Sequence, residues 1–314
     1  MQIQADRNGT VRICAPAKIN IFLEVVGRRA DGYHLLNSVV IPIALFDQLT
    51  IETAPSETPA VTIGVEQDWE IPADEDNLAV RAAALFLKRR GVKAEVRIAL
   101  RKRIPVGAGL GGGSSDAAAV LRALDRLAQA RTSRTTLAEW GLELGADVPF
   151  FLYGRPARMT GVGEELARVD VPIDRHHPII VAFCGTALGT RDVYQRYDDS
   201  LTSARAASSV RRLNPGHGPL QDWLINDLEA AAFEALPNLA ILKRQLRALG
   251  ARGVVMTGSG SAMVGIWDRN RWDDARAAAS RLRAGGTWAR VTRILEQVPA
   301  VERDEQHGGR SPSW

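Results

Sequence analysis

Cysteine is scarce in this chain: two residues in 314, Cys14 and Cys184. Two thiols cannot build a disulfide framework, and neither has the spacing of a metal ligand set. Both are expected to be free thiols in a reducing compartment. Histidine is also sparse, at five residues, and aromatic residues make up only 6%. No apolar run approaches the roughly 18 residues of a membrane span, and the polar first ten residues lack the apolar core of a signal peptide. An excess of one charge is missing too. The formal net charge is +4 and the basic residues are scattered, with small groups at Arg101-Lys102-Arg103 and Arg211-Arg212. That excludes the concentrated basic stripe typical of nucleic-acid binding. The expectation is a soluble, cytoplasmic protein that uses neither membrane nor nucleic acid and handles small anions, as a monomer or homodimer.

Glycine, by contrast, is concentrated. Pro105 and Val106 lead into Gly107-Ala108-Gly109-Leu110-Gly111-Gly112-Gly113-Ser114-Ser115-Asp116, followed by an Ala/Leu-rich run. Glycines remove side chains that would keep a ligand off the backbone. A helix opening there offers unpaired N–H groups and the positive end of its dipole, a socket for phosphate. The segment is not a Walker A loop, which needs Lys-Ser/Thr directly after the glycines. Ser115 could place a hydroxyl on a phosphate or on Mg²⁺. Asp116 fits poorly, because a carboxylate beside a polyphosphate is repelled unless a cation intervenes or it faces away.

Periodicity predicts strands at 19–26, 38–44, 48–53, 60–64 and 94–100, with a helix capped by Asp76 or Asn77 and running to about 90. Helices follow at 115–128 and 135–144, a short strand at 150–153, and another at 165–169. After a Pro/His-rich linker at 171–178 come strands at 179–183, 253–257, 262–267 and 287–294, and helices at 226–235, 239–249 and 272–284. Residues 203–219 look like a mobile loop. Strands clustered early with helices to one side indicate an α+β fold. The division is 1–171, 172–300 and a disordered tail at 301–314.

Weak signals become stronger in combination. Pro16-Ala17-Lys18-Ile19-Asn20 places Lys18 and Asn20 on one face of a strand. Arg29-Ala30-Asp31-Gly32-Tyr33-His34 is a turn carrying two rings, and Leu144-Gly145-Ala146-Asp147-Val148-Pro149 carries a lone acid. With the glycine segment and Thr257-Gly258-Ser259-Gly260-Ser261, these resemble the GHMP kinase superfamily. Within it, they look like the kinases of 4-diphosphocytidyl-2-C-methyl-D-erythritol. Glu75-Asp76-Asn77-Leu78 and Asn226-Asp227-Leu228-Glu229 fit the same group, and the resemblance covers about 16–291.

That resemblance implies a two-domain GHMP kinase fold, with a ribosomal S5-like N-terminal domain and a ferredoxin-like C-terminal domain. It implies ATP-dependent phosphorylation of the 2-hydroxyl of the cytidine-diphosphate-linked methylerythritol, on the non-mevalonate route to isoprenoid precursors, with Mg²⁺ accompanying ATP. Asp147 matches the aspartate that takes the hydroxyl proton, and Lys18 its electrostatic partner. Residues 105–115 match the ATP loop. Asn20, Tyr33, His34, Gly258 and Ser259 match substrate-binding positions; Thr190 and Tyr194, placed by their position after the strand at 179–183, are expected to join them, with Tyr33 and Tyr194 sandwiching the base. Two rivals remain at this point: another GHMP small-molecule kinase, such as one for homoserine or mevalonate, and an S5-like RNA-binding protein. Substrate competition separates the first, and salt-dependent RNA binding without ATP turnover the second.

Overall fold

Two long strands organise the molecule. The structure is a computed structural model that describes residues 9–67, 74–203 and 219–303. Strand β1 (Thr10–Arg28) and strand β2 (His34–Pro55) form one antiparallel hairpin around the Asp31-Gly32 turn. They extend further than the sequence suggests. The stretch that reads as a break before 48 sits at a register shift, where Pro16 faces Phe46 and Ala17 faces Ile43, so the bulge takes up Ala44 and Leu45 without ending the strand. From Ala15 to Leu23 every residue of β1 is buried. A strand covered on both faces reads as a mostly apolar run, interrupted here only by Lys18 and Asn20.

Strand β3 (Ala60–Gln67) lies parallel to β4 (Ala94–Lys102), which pairs with β2. Between them runs α1 (Leu78–Arg90), whose N-cap Asn77 accepts the Ala79 N–H and whose end is closed by Gly91. Helix α2 (Gly112–Leu127) follows the glycine segment, then α3 (Arg134–Leu144), capped by Ser133. The expected strand at 150–153 is instead a helix, α4 (Val148–Tyr153). Its aromatic run looks strand-like, but Pro149 suits a first helical turn and Gly154 adopts the left-handed C-cap conformation. Strands β5 (Ala157–Thr160) and β6 (Glu165–Arg168) form a hairpin on β2.

The second sheet contains β7 (Ile179–Phe183). Helices α5 (Thr190–Ser203) and α6 (Leu220–Trp223) come next, then β8 (Ile225–Asn226). Most of the expected 203–219 loop lies outside the described residues. The predicted helix from 226 starts late: Ile225 and Asn226 pair with Phe22 and Leu23 of β1, and α7 (Glu229–Ala235) follows. Then come α8 (Asn238–Ala248), β9 (Gly253–Met256), β10 (Met263–Ile266), α9 (Trp272–Ala284) and β11 (Trp288–Thr292). This sheet is ordered β11-β7-β10-β9. The tail expected from 301 opens differently: β12 (Glu302–Arg303) pairs with Val11 and Arg12. Residues 304–314 lie outside the described residues.

Three apolar clusters result. One lies under α1 to α4. A second joins Ile19 and Ile41 of the hairpin to Val181 and Val255 of the second sheet, and a third lies beneath α7 to α9. Trp140, Trp223 and Trp267 are core residues, consistent with the packing role expected for tryptophan. Neither Cys14 nor Cys184 forms a disulfide. No helix among the described residues is long and apolar enough to cross a membrane.

Candidate active site

The buried stretch of β1 carries Lys18, Asn20 and Glu24, and buried polar groups must find partners. The Lys18 ammonium donates to Asn20 Oδ1 at 2.6 Å, and Asn20 Nδ2 donates to Ser38 Oγ at 2.8 Å. The Asn20 N–H donates to Thr257 Oγ1 at 3.0 Å. Asn20 is therefore held by protein groups on both sides of its amide and fixes the lysine. Asp147 reaches the same ammonium from the other side, with Oδ2 3.6 Å from Nζ. It occupies the N-cap position of α4 yet makes no side-chain cap bond. Lys18 is 6% exposed and Asp147 35%. The cation is shut in while the carboxylate faces an opening.

The glycine segment is tied to this pair. Lys18 N–H donates to the Leu110 carbonyl at 2.9 Å, and Ala262 N–H to that of Ala108 at 3.1 Å. Gly109 has φ +75, and a Cβ there would run into the Thr257 carbonyl oxygen and stand 3.0 Å from that of Gly260. The two glycine motifs thus meet backbone to backbone. A Cβ on Gly258 would lie 3.4 Å from Lys18 Nζ and 3.6 Å from Asn20 Oδ1, and one on Gly145 3.7 Å from Ser114 Oγ. Lys18, Asn20, Asp147, Ser114, the 109–111 turn and Gly258 converge on one place. No side chain caps α2 there, so its first N–H groups remain available to an anion. Pro105 and Val106 stand at the upstream rim, with Val106 exposed, while Gly113 faces Leu78. We expect Gly109→Ala to lower the unfolding free energy by about 1–2 kcal/mol from the left-handed backbone alone, and to remove activity by parting the two turns. Equilibrium unfolding and turnover would check both.

A second constellation borders the first. The His34 ring stacks on Tyr194 of α5, with centroids 4.7 Å apart and planes 27° from parallel. His34 Nε2 shares a hydrogen bond of 2.7 Å with Asp198, which also pairs with Arg28 at 3.1 Å. Burial pushes the Tyr194 hydroxyl pKa well up, and the negative charge of Asp147 adds to the shift. Tyr194 therefore lies within electrostatic reach of the lone acid. His34 lies on Tyr194, and Tyr33 stands 65% exposed at the tip of the hairpin. Thr190 and Ser259 share a hydroxyl contact of 3.0 Å that joins the start of α5 to the second glycine turn.

Sequence reasoning passed over several residues that the fold places here. Thr257, wholly buried, links Asn20 to Gly109. Asn226 donates to the carbonyls of Met256 and Gly258, both at 2.8 Å, and so buttresses the second glycine turn, while Asp227 accepts the Val25 N–H. Their signal was the Asn226-Asp227 motif, whose role is visible only once the distant strands meet. Among the described residues, no group of three or more His, Cys, Asp or Glu could hold a metal ion. The Ser115 hydroxyl, buried in the first turn of α2, has no hydrogen-bond partner.

Comparison with known proteins agrees with the geometry. The model of the GHMP kinases N terminal domain matches residues 77–155, and that of the GHMP kinases C terminal matches 206–286. The chain is 44% identical over 278 residues to a 4-diphosphocytidyl-2-C-methyl-D-erythritol kinase of Thermus thermophilus, covering 88% of this chain and 94% of that one. It is 40% identical over 278 residues to one of Syntrophotalea carbinolica, covering 87% and 95%. A crystal structure of 4-(cytidine 5'-diphospho)-2C-methyl-D-erythritol kinase superposes with a TM-score of 0.70 at 40% identity, covering 90% and 99%. A homoserine kinase structure from Cytophaga hutchinsonii gives 0.68 at 17% identity, covering 94% and 98%, a likeness of fold.

Proposed function

The chain belongs to the GHMP kinases, and from that premise we propose that it transfers the γ-phosphoryl group of ATP to the 2-hydroxyl of 4-diphosphocytidyl-2-C-methyl-D-erythritol, a step toward isoprenoid precursors. The observation that carries this reading is the Lys18–Asp147 pair, closed at 3.6 Å beside the uncapped start of α2. Phosphoryl transfer asks little of a protein beyond alignment and charge neutralisation. The acceptor oxygen attacks the γ-phosphorus, the bond to the bridging oxygen of ADP breaks, and the hydroxyl proton passes to Asp147. An ammonium has three N–H donors. Lys18 spends one on Asn20 and faces Asp147 with another, which leaves the third for a γ-phosphate oxygen.

Magnesium would shield the phosphate charge. Its fit here rests on the orphaned Ser115 hydroxyl, with the Ser114 hydroxyl beside Gly145 and phosphate oxygens completing a hard oxygen set. The backbone N–H groups of 107–115 would receive the phosphates. The cytosine would use Tyr194 and Tyr33 as stacking faces and His34 as an edge reader, displacing the His34 ring from its resting place on Tyr194. Thr190 and Ser259, joined across the second glycine turn, would border the substrate diphosphate.

A coupled assay with ATP and the purified cytidine compound tests the reading, with homoserine and mevalonate as competing acceptors. Transfer to either of these in preference to the cytidine compound would overturn it. Tyr194→Ala should raise the substrate KM by about 5- to 150-fold, the worth of one stacking face at about 1–3 kcal/mol, while kcat changes little. An unchanged KM would remove Tyr194 from the base pocket.

A further inference from the structure

One buried network fastens both ends of the glycine loop. Asp47, on β2, accepts from Lys102 Nζ at 2.5 Å and from the N–H groups of Arg103 and Ile104 at 2.6 and 2.9 Å. Lys102 closes β4 and also donates to Asp116 Oδ2, near the start of α2, at 2.7 Å. The three side chains are 0%, 4% and 3% exposed. Between Lys102 and Asp116 the chain is the loop itself. The helix entry runs directly over the ammonium: a Cβ on Gly112 would stand 2.8 Å from Lys102 Nζ and 3.1 Å from Ile104. Glycine at 112 is what lets the lysine sit beneath the loop.

The charges are interlocked, with one ammonium held between two acids beneath the loop. Burial, and then the charge of Asp47, push Asp116 up to about 8 against the pull of Lys102. Burial also works against the charge on Lys102, but the two acids outweigh it. Lys102 bonds to both acids and so offsets part of their charge. The carboxylate that looks misplaced in the sequence faces away from the loop with a cation before it.

We propose that Asp47, Lys102 and Asp116 are positioning residues for the nucleotide, a clasp that sets the spacing between the end of β4 and the start of α2 so that the loop's N–H groups converge on the phosphates. The inference rests on reading 105–115 as the ATP loop. Misplacing such donors by an ångström weakens binding and transfer together. A purely structural network would act otherwise: its loss would reduce the folded fraction and leave the affinity of the folded molecules for each substrate alone.

Three variants of the full chain separate these. Lys102→Met removes the clasp but strands two acids. The double variant Lys102→Met/Asp116→Asn removes the clasp with one acid neutralised, while Asp47 keeps its two backbone donors, and it serves where the single variant does not fold. Asp116→Asn keeps an amide oxygen for Lys102 and is the conservative rescue. ATP affinity is read by calorimetry, and KM for each substrate by steady-state kinetics. Both Lys102 variants should weaken ATP by about tenfold or more, with the KM of the cytidine compound within about twofold, and Asp116→Asn should cost about threefold or less. Folded Lys102 variants that bind ATP within about twofold of the parent, or that weaken both substrates equally, would overturn the clasp. Absence of ATP binding in the parent would overturn the loop reading itself, a result distinguishable from the first.

Discussion

Asp147→Asn should leave ATP and the cytidine compound bound while lowering kcat by about 10²- to 10⁴-fold, the usual worth of a placed general base. The amide keeps the size and the opening-facing position of the carboxylate but cannot accept the hydroxyl proton. It also removes the negative charge facing Lys18 Nζ, 3.6 Å away. In the proposed reading both substrates are held elsewhere, by the loop and by the ring pocket, so their binding should survive. Calorimetry for binding and single-turnover transfer for chemistry distinguish the two effects. Near-parental transfer would strip Asp147 of its role.

Lys18→Met should act on the same step by another route. The methionine fills similar space but supplies no charge to the migrating phosphoryl group, and losses of about 10²- to 10³-fold in kcat follow removal of one such group. The variant carries a second cost. Asn20 Oδ1 loses a 2.6 Å donor in a buried setting, worth about 1–3 kcal/mol when a buried group is left unsatisfied. Thr257 Oγ1, 3.4 Å away, can relieve part of it. The expected result is therefore a modest fall in unfolding free energy with a much larger fall in kcat. If activity fell only in proportion to the folded fraction, Lys18 would be a structural residue.

What the chain disclosed beforehand followed the range of its signals. The glycine loop, the Asn77 cap and the strand at 179–183 are local patterns and were legible. The lengths of β1 and β2 were not, because their polar interruptions are buried: Asp47, which looked like a break between strands, is the centre of the clasp. Lys102, flanked by Arg101 and Arg103, read as one of a basic surface group, although strand alternation turns it inward while its neighbours face out. Helix α4 was missed because six apolar and aromatic residues carry too little periodicity to separate helix from strand. His34 on Tyr194 could not be foreseen, since it depends on how α5 lies against the hairpin. The motifs identified the chemistry, and the three-dimensional pairing decided which side chains stand beside which.

The burial of the β1–β2 hairpin on both sides has a consequence for how the molecule can be divided. Ile19 and Ile41 are covered by residues of the later half, and β8 crosses back to pair with Phe22 and Leu23. A chain severed after the first half would open a raw apolar face along the strand that carries Lys18, and the later half would lose the partner of its own inner face. The layer that carries the proposed catalytic lysine is thus shared by both halves, so a lesion deep in it should be felt as lost turnover and lost stability at once.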